Sequence, residues 1–243
     1  MQLPRHRLYV ETRLEPGAVH ICDSAQANYL INVLRLSAGD EILVFDGRNG
    51  EWLAAIAEMG RGRCTLAVGT PTRQQVEGPD IHYLFAPLKR ARLDYMVQKA
   101  VELGVARLVP VKTRRTQVAR LNQNRMRANV IEAAEQCGVL RLPEIDDLRD
   151  LSALLADWRP ERRLIYCDEQ MGAGDPMQAL GAIDAGPLAL LVGPEGGFDD
   201  QEREALRAKP FVTAISLGPR VMRADTAGVA ALALINAAHG DWR

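Results

Sequence analysis

Two rhythms of apolar and polar positions divide the chain. Up to about residue 72 the apolar residues come in short runs, at 7–11, 41–45, 51–57 and 64–68, with turn residues between them. Runs of that length predict β-strands, and Asp46-Gly47-Arg48-Asn49-Gly50 between two of them predicts a hairpin. One helix interrupts the strands. Asp23 and Ser24 are capping residues, and Tyr29, Leu30, Val33 and Leu34 recur at helical spacing. The pattern over residues 1–72 predicts a small β-barrel. The mostly polar stretch 70–79, with two prolines, reads as a linker.

Beyond the linker, strand-length apolar runs alternate with helical patterns. Strands are predicted at 81–86, 107–111, 163–167, 188–192 and 213–217. Helices are predicted at 91–103, 122–137, 176–183, 199–209 and 224–238, the first two closed by Gly104 and Gly138. Such alternation predicts a mostly parallel sheet covered by helices on both faces. Ligands of these folds bind beyond the carboxyl ends of the strands. Two glycine-rich turns occupy that position: Gly193-Pro194-Glu195-Gly196-Gly197, and the segment 216–232 that begins Ser216-Leu217-Gly218-Pro219-Arg220. The first is neither a Walker loop nor a dinucleotide fingerprint. Its glycines let peptide groups approach a ligand, while Glu195 disfavours a phosphate and suits a cationic or neutral partner. Asp199 or Asp200 would cap the helix that follows.

Composition changes the picture little. The 243 residues are 47% hydrophobic and 25% charged, as in ordinary globular proteins. No apolar run approaches the roughly 20 residues needed to cross a bilayer. The N-terminal segment has no apolar stretch of the secretory kind. The expectation is a cytoplasmic protein without membrane contact. Cys22, Cys64, Cys137 and Cys167 are scattered, which predicts buried thiols and no metal site or disulfide framework. The net charge of −1 is uninformative, but its distribution is not. Residues 89–127 hold eleven Lys or Arg against two acids, and residues 128–204 hold seventeen acids against six bases. The basic segment is a candidate footprint for nucleic-acid phosphates.

Four motifs together point to one family. Gly193-Pro194-Glu195-Gly196-Gly197 after an apolar strand, followed by Leu217-Gly218-Pro219-Arg220-Val221-Met222-Arg223-Ala224-Asp225-Thr226-Ala227, resembles the 16S ribosomal RNA uridine-N3 methyltransferase E family. Val221 and Met222 are apolar replacements within that second motif, and Asp225 shortens the usual glutamate. Upstream, Lys99-Ala100-Val101-Glu102-Leu103-Gly104-Val105 is similar to a helix end of the family. Glu132-Ala133-Ala134-Glu135-Gln136-Cys137-Gly138, with Pro143 after it, is similar to another. Val139 stands where many members carry arginine, and Asn28 where histidine is expected. Val33-Leu34-Arg35-Leu36, Gly39-Asp40 and Phe45-Asp46-Gly47 fit the family's N-terminal barrel.

The resemblance implies a SPOUT-class α/β domain at 73–243, with a mostly parallel sheet and a deep C-terminal trefoil knot. It also implies a PUA-like RNA-binding barrel at 1–72. It implies S-adenosyl-L-methionine as cofactor, with Tyr166, Cys167 or neighbouring Asp168, Val192, Gly193 and Gly197 on one side. Leu217, Gly218, Val221 and Met222 would cradle the adenine. It implies 16S ribosomal RNA of the small subunit as partner and a homodimer as the working state. The acceptor would be uridine N3, whose proton must leave or whose anion must be stabilised. Arg223 is the first choice for the electrostatic part, and Glu195 and Asp225 are candidate bases; the residues leave the choice open. Arg5, Arg7, Arg35, Lys89, Arg90, Arg92, Arg114 and Arg115 are candidates for RNA backbone contacts. Rival readings are action on another RNA position, ribose 2′-oxygen or transfer RNA, and a non-catalytic RNA-binding assembly factor.

Overall fold

In a computed structural model of the chain, residues 4–60, 63–118, 120–172 and 174–242 are described. Residues 1–3, 61–62, 119, 173 and 243, which fall within the two expected domains, lie outside them. The chain forms two compact units, Met1–Glu77 with Ala134–Leu142, and Gly78–Ala133 with Pro143–Arg243.

The first unit holds strands β1 (Arg7–Tyr9), β2 (Val19–Ile21), β3 (Glu41–Phe45), β4 (Glu51–Gly60) and β5 (Arg63–Arg73). Their order is β1-β3-β4-β5-β2, with β1 parallel to β3 and the other pairs antiparallel. Alternation does the sorting: Ile42 and Val44, Ala54 and Ile56, Cys64, Leu66 and Val68 all turn to one core. Helix α1 (Ser24–Asn28) and the π-helical turn Tyr29–Val33 add Ala27 and Leu30 to that core. A reciprocal cap between Asp23 and Gln26 starts α1. The expected linker is strand as far as Arg73, since Trp52 pairs with Pro71 and Glu51 with Arg73. β2, too short for the pattern to reveal, pairs with β5.

The second unit is built on a sheet in which every pairing is parallel. Its strands are β6 (Ile81–Phe85), β7 (Arg107–Lys112), β8 (Glu144–Ile145), β9 (Arg149–Asp150), β10 (Arg163–Cys167), β11 (Leu188–Val192) and β12 (Val212–Ile215). The order is β12-β10-β11-β6-β7-β8, with β9 on the far end of β7. All five residues of the central β11 are buried, as its unbroken apolar run requires. The helices are α2 (Arg90–Glu102), α3 (Gln123–Cys137), α4 (Leu151–Ala156), α5 (Pro176–Gly181), α6 (Asp200–Arg207) and α7 (Ala224–His239). Asp199 caps α6 reciprocally with Glu202, and Asp175 caps α5 with Pro176 in its first turn. β8, β9 and α4 escape the sequence pattern because two to six residues carry no readable period.

The order of the last strands positions the site. β12 lies outside β10, so after β12 the chain returns across the sheet, and α7 packs on α2, α5 and β11. The fully buried Asn236 ties α7 to α2 by donating to the Leu103 carbonyl at 2.9 Å. The carboxyl ends of β12, β10 and β11 are thereby neighbours, and the loops that follow them converge.

Candidate functional site

Those three loops enclose a cavity of about 650 Å³. One wall is Val192 to Gly197 after β11, a second is Ile215 to Ala224 after β12, and the third is Cys167 to Gly172 after β10. Of the residues expected to hold a cofactor, Cys167, Val192, Gly193, Gly197, Leu217, Gly218, Val221 and Met222 all line it. Tyr166 does not. It is fully buried one residue back on β10, edge-on to Phe198 with ring centres 5.5 Å apart, and belongs to the core beneath the site.

The second wall is apolar and open. Val221 is 86% exposed, beside the half-buried Leu217 and Met222, and Met171 faces them from the third loop. The Cys167 thiol at the floor is pushed up to about 12 by burial and then by the nearby Glu169, so it stays protonated.

The third wall was not legible as a motif. Asp168 and Glu169 follow β10 directly and meet Arg203 and Arg207, one helical turn apart on α6. The Asp168 carboxylate lies 2.6 Å from Arg207 Nη2 and 3.8 Å from Arg203 Nε. Burial alone would raise the Asp168 carboxyl. The Tyr166 hydroxyl beside it, the Arg207 guanidinium and the Gln170 N–H outweigh burial and hold it below the usual carboxylate range. Glu169 accepts from Arg203 Nη2. It also passes over Gly197, which has φ +67°; a Cβ there would overlap Glu169 Oε1. Only glycine meets both conditions easily.

Of the candidate catalytic residues, Arg223 and Glu195 line the cavity, whereas Asp225 does not and lies in the first turn of α7. Arg223 is exposed at the position before α7, and its side chain has no ion pair or hydrogen bond among the described residues. It pairs with neither Glu195 nor Asp225. Glu195 instead lies 3.4 Å from Arg92, and Asp225 accepts from the Thr226 N–H.

The RNA candidates separate into groups. Lys89, Arg90, Arg92, Arg114 and Arg115 follow β6 and β7, so the parallel sheet brings them to the same end as the cavity. Three of them also brace the loop after β11. Arg92 meets Glu195, Arg115 donates to the Gly196 carbonyl at 2.6 Å, and Arg114 lies 3.2 Å from Asp199. Arg5 and Arg35 are exposed in the first unit. Arg7 corrects the expectation. Its side chain is 8% exposed, paired at 2.6 Å with the buried Glu51 and stacked 4.4 Å over Phe45. It also donates to the carbonyls of Ala134, Glu135 and Val139, so its guanidinium is committed inside the fold. Of the thiols expected to be buried, Cys22 and Cys64 are, whereas Cys137 is exposed and Cys167 borders the cavity.

A parallel α/β unit with a loop-walled cavity at its strand ends and a small β unit make up the chain, and two family models assign both to a class of RNA-modifying proteins. Residues 76–236 match an RNA methyltransferase domain and residues 21–68 an RNA methyltransferase PUA domain. A ribosomal RNA small subunit methyltransferase E of Synechocystis sp. is 32% identical, across 96% of this chain and 77% of its own length. The crystal structure of a ribosomal RNA small subunit methyltransferase E from Neisseria gonorrhoeae bound to S-adenosyl methionine superposes with a TM-score of 0.87. It is 26% identical, over 98% of this chain and 99% of that one. A putative methyltransferase from Legionella pneumophila in complex with the bound cofactor SAM gives 0.85 at 28% identity, over 99% and 100%. The chain belongs to the ribosomal RNA small subunit methyltransferase E family.

Proposed function

We propose that the chain methylates N3 of a uridine in 16S ribosomal RNA of the small subunit, with S-adenosylmethionine as methyl donor. The observation that carries this reading is the convergence of both glycine-rich loops on one cavity in a chain of this family. The two solved relatives named above hold S-adenosylmethionine. The cavity volume suits a ligand of that size, since such sites span roughly 300–1,000 Å³. Leu217, Val221 and Met222 supply an apolar wall for an adenine, and the exposure of Val221 is what a flat ligand would cover. Val192, Gly193, Gly197, Gly218 and the end of β10 at Cys167 would hold the remainder. When bound, the cofactor supplies a methyl carbon on a sulfonium.

The protein must bring an unpaired uridine to that carbon in line. Arg223, unpaired at the rim, stabilises the negative charge that develops on the base as its N3 proton leaves. Glu195, engaged by Arg92, or Asp225, in the first turn of α7, takes that proton, or else solvent does. Lys89, Arg90, Arg92, Arg114 and Arg115 would meet backbone phosphates at the same end, with Arg5 and Arg35 contributing from the first unit. The first unit, expected at 1–72, acts as the PUA-like RNA-binding domain, and the second, expected at 73–243, as the catalytic domain. The same reading carries a trefoil knot formed by the segment after β12 with α7. It carries a homodimer through the half-buried stripe Val229, Ala230, Ala233 and Leu234 of α7, and a cytoplasmic place of work.

Nucleoside mass spectrometry of ribosomal RNA from a strain lacking the gene tests the reading. The expected result is loss of 3-methyluridine from 16S RNA, restored by the wild-type gene. An unchanged 16S profile, or loss of a 2′-O-methylated or transfer-RNA nucleoside instead, would defeat it. Calorimetry showing no S-adenosylmethionine binding would leave an RNA-binding protein without catalysis.

A further inference from the structure

Resting on the S-adenosylmethionine reading, we propose that Glu169 accepts hydrogen bonds from the vicinal hydroxyls of the cofactor's ribose, and that the buried Arg203 positions it. Glu169 is 36% exposed and lines the cavity, and it belongs to neither glycine-rich motif. One carboxylate oxygen accepts from Arg203 Nη2; the other, Oε2, takes no hydrogen bond among the described residues. A carboxylate beyond a parallel strand is how dinucleotide-binding folds hold a ribose hydroxyl, and Glu169 stands two residues past the end of β10.

Arg203 connects two walls. It is carried by α6, which begins directly after the Gly193–Gly197 loop, and it grips Asp168 and Glu169 of the loop after β10. Its side chain is 4% exposed, and Nε, 3.8 Å from Asp168, and Nη1 make no hydrogen bond among the described residues. Burying a guanidinium with an orphaned N–H costs stability relative to an apolar side chain of similar size. A positioning role accounts for that cost: Gly197, with no Cβ, leaves room for Glu169 to cross close to the loop backbone, and Arg203 donates to it there.

The charge balance selects the ligand group. Asp168 and Glu169 face Arg203 and Arg207, two negative charges against two positive. A carboxylate already neutralised in this way keeps its acceptor lone pairs and suits neutral hydroxyls better than the cofactor's ammonium.

Titration calorimetry with S-adenosylmethionine and with 5′-methylthioadenosine, which keeps the ribose diol and lacks the amino-acid end, tests the assignment. Glu169→Gln, a partly exposed change compatible with folding, is expected to weaken both ligands by about ten-fold or more and to a similar degree. Arg203→Met is expected to weaken both in the wild-type background and to add little in the Glu169→Gln background, the non-additivity of residues acting through one another. Glu169→Gln protein that binds both ligands like wild type overturns the proposal, as does loss confined to S-adenosylmethionine, which would assign Glu169 to the ammonium. Should Arg203→Met fail to fold, Glu169→Gln with the two ligands still decides whether Glu169 holds the diol. Wild-type protein that binds neither ligand removes the cofactor reading itself, and that result is distinct from wild-type binding with an unaffected variant.

Discussion

Replacing Gly197 by alanine probes the narrowest point of the site. Two separable costs follow from the geometry. The backbone at φ +67° is left-handed, which costs a residue with a Cβ about 1–2 kcal/mol. The new Cβ would also overlap Glu169 Oε1 and stand 3.1 Å from its Cδ, and Glu169 cannot retreat without releasing Arg203. Gly104 supplies the control. It has φ +72°, and a Cβ there would meet only Pro79 at 3.5 Å, an ordinary contact. Gly104→Ala should therefore show the backbone cost alone, a fall in melting temperature of roughly 2–8 °C with cofactor affinity unchanged. Gly197→Ala should fall at least as far. It should also weaken S-adenosylmethionine about ten-fold or more by calorimetry, because the wall made by Glu169 is displaced. If Gly197→Ala melts like Gly104→Ala and binds S-adenosylmethionine like wild type, the close crossing of Glu169 over Gly197 has no functional weight and the account of the third wall is wrong.

Arg223→Ala should leave S-adenosylmethionine affinity within about two-fold and lower the rate of methyl transfer about 10²–10³-fold, as loss of a charge-stabilising donor does; a wild-type rate would remove Arg223 from the chemistry. Arg7→Met strands the buried Glu51 carboxylate, with Arg73 Nη1 only at 3.7 Å, and should cost about 3–5 kcal/mol in denaturant titration; a loss below about 1 kcal/mol would contradict a committed internal role. Because the Asp168 carboxyl is held low in the folded state, the unfolded chain binds its proton first on acidification. Its contribution is complete above about pH 4 and lost as pH falls below that. Asp168→Asn should flatten this acid limb of the stability curve, and an unchanged limb would place the effect elsewhere. Arg114→Ala with Arg115→Ala should make the slope of log RNA affinity against log salt shallower by about one for each phosphate no longer neutralised; an unaltered slope would take both off the RNA path.

How much of the site could be read from the chain differs wall by wall. Both glycine-rich loops were visible because their signals are local: an apolar strand, glycines where backbone must approach, and a capping acid before α6. The third wall was invisible because its logic is distant. Asp168 and Glu169 acquire meaning only beside Arg203 and Arg207, more than thirty residues away. Arg7 and Tyr166 mark the same boundary from the other side. As residue types, a basic side chain in a barrel and an aromatic at a strand end fit RNA and adenine. Arg7 instead finds Glu51 and three carbonyls, and Tyr166 finds Phe198.

The sequence alone determined what depends on period and neighbours along the chain. That covers the alternation of strands and helices, their turns and caps, and the placement of two glycine loops beyond strand ends. The tertiary structure decided what depends on strand order and burial. With β12 outside β10, three loops from separate stretches of chain share one cavity. Burial then sorts charged groups of the same type into different tasks, with Arg7 and Arg203 locked inside and Arg223 left unpaired at the rim. The physical reason is that a charge taken from water must find a partner, and which partner is near depends on how the sheet is ordered rather than on the residues adjacent in sequence.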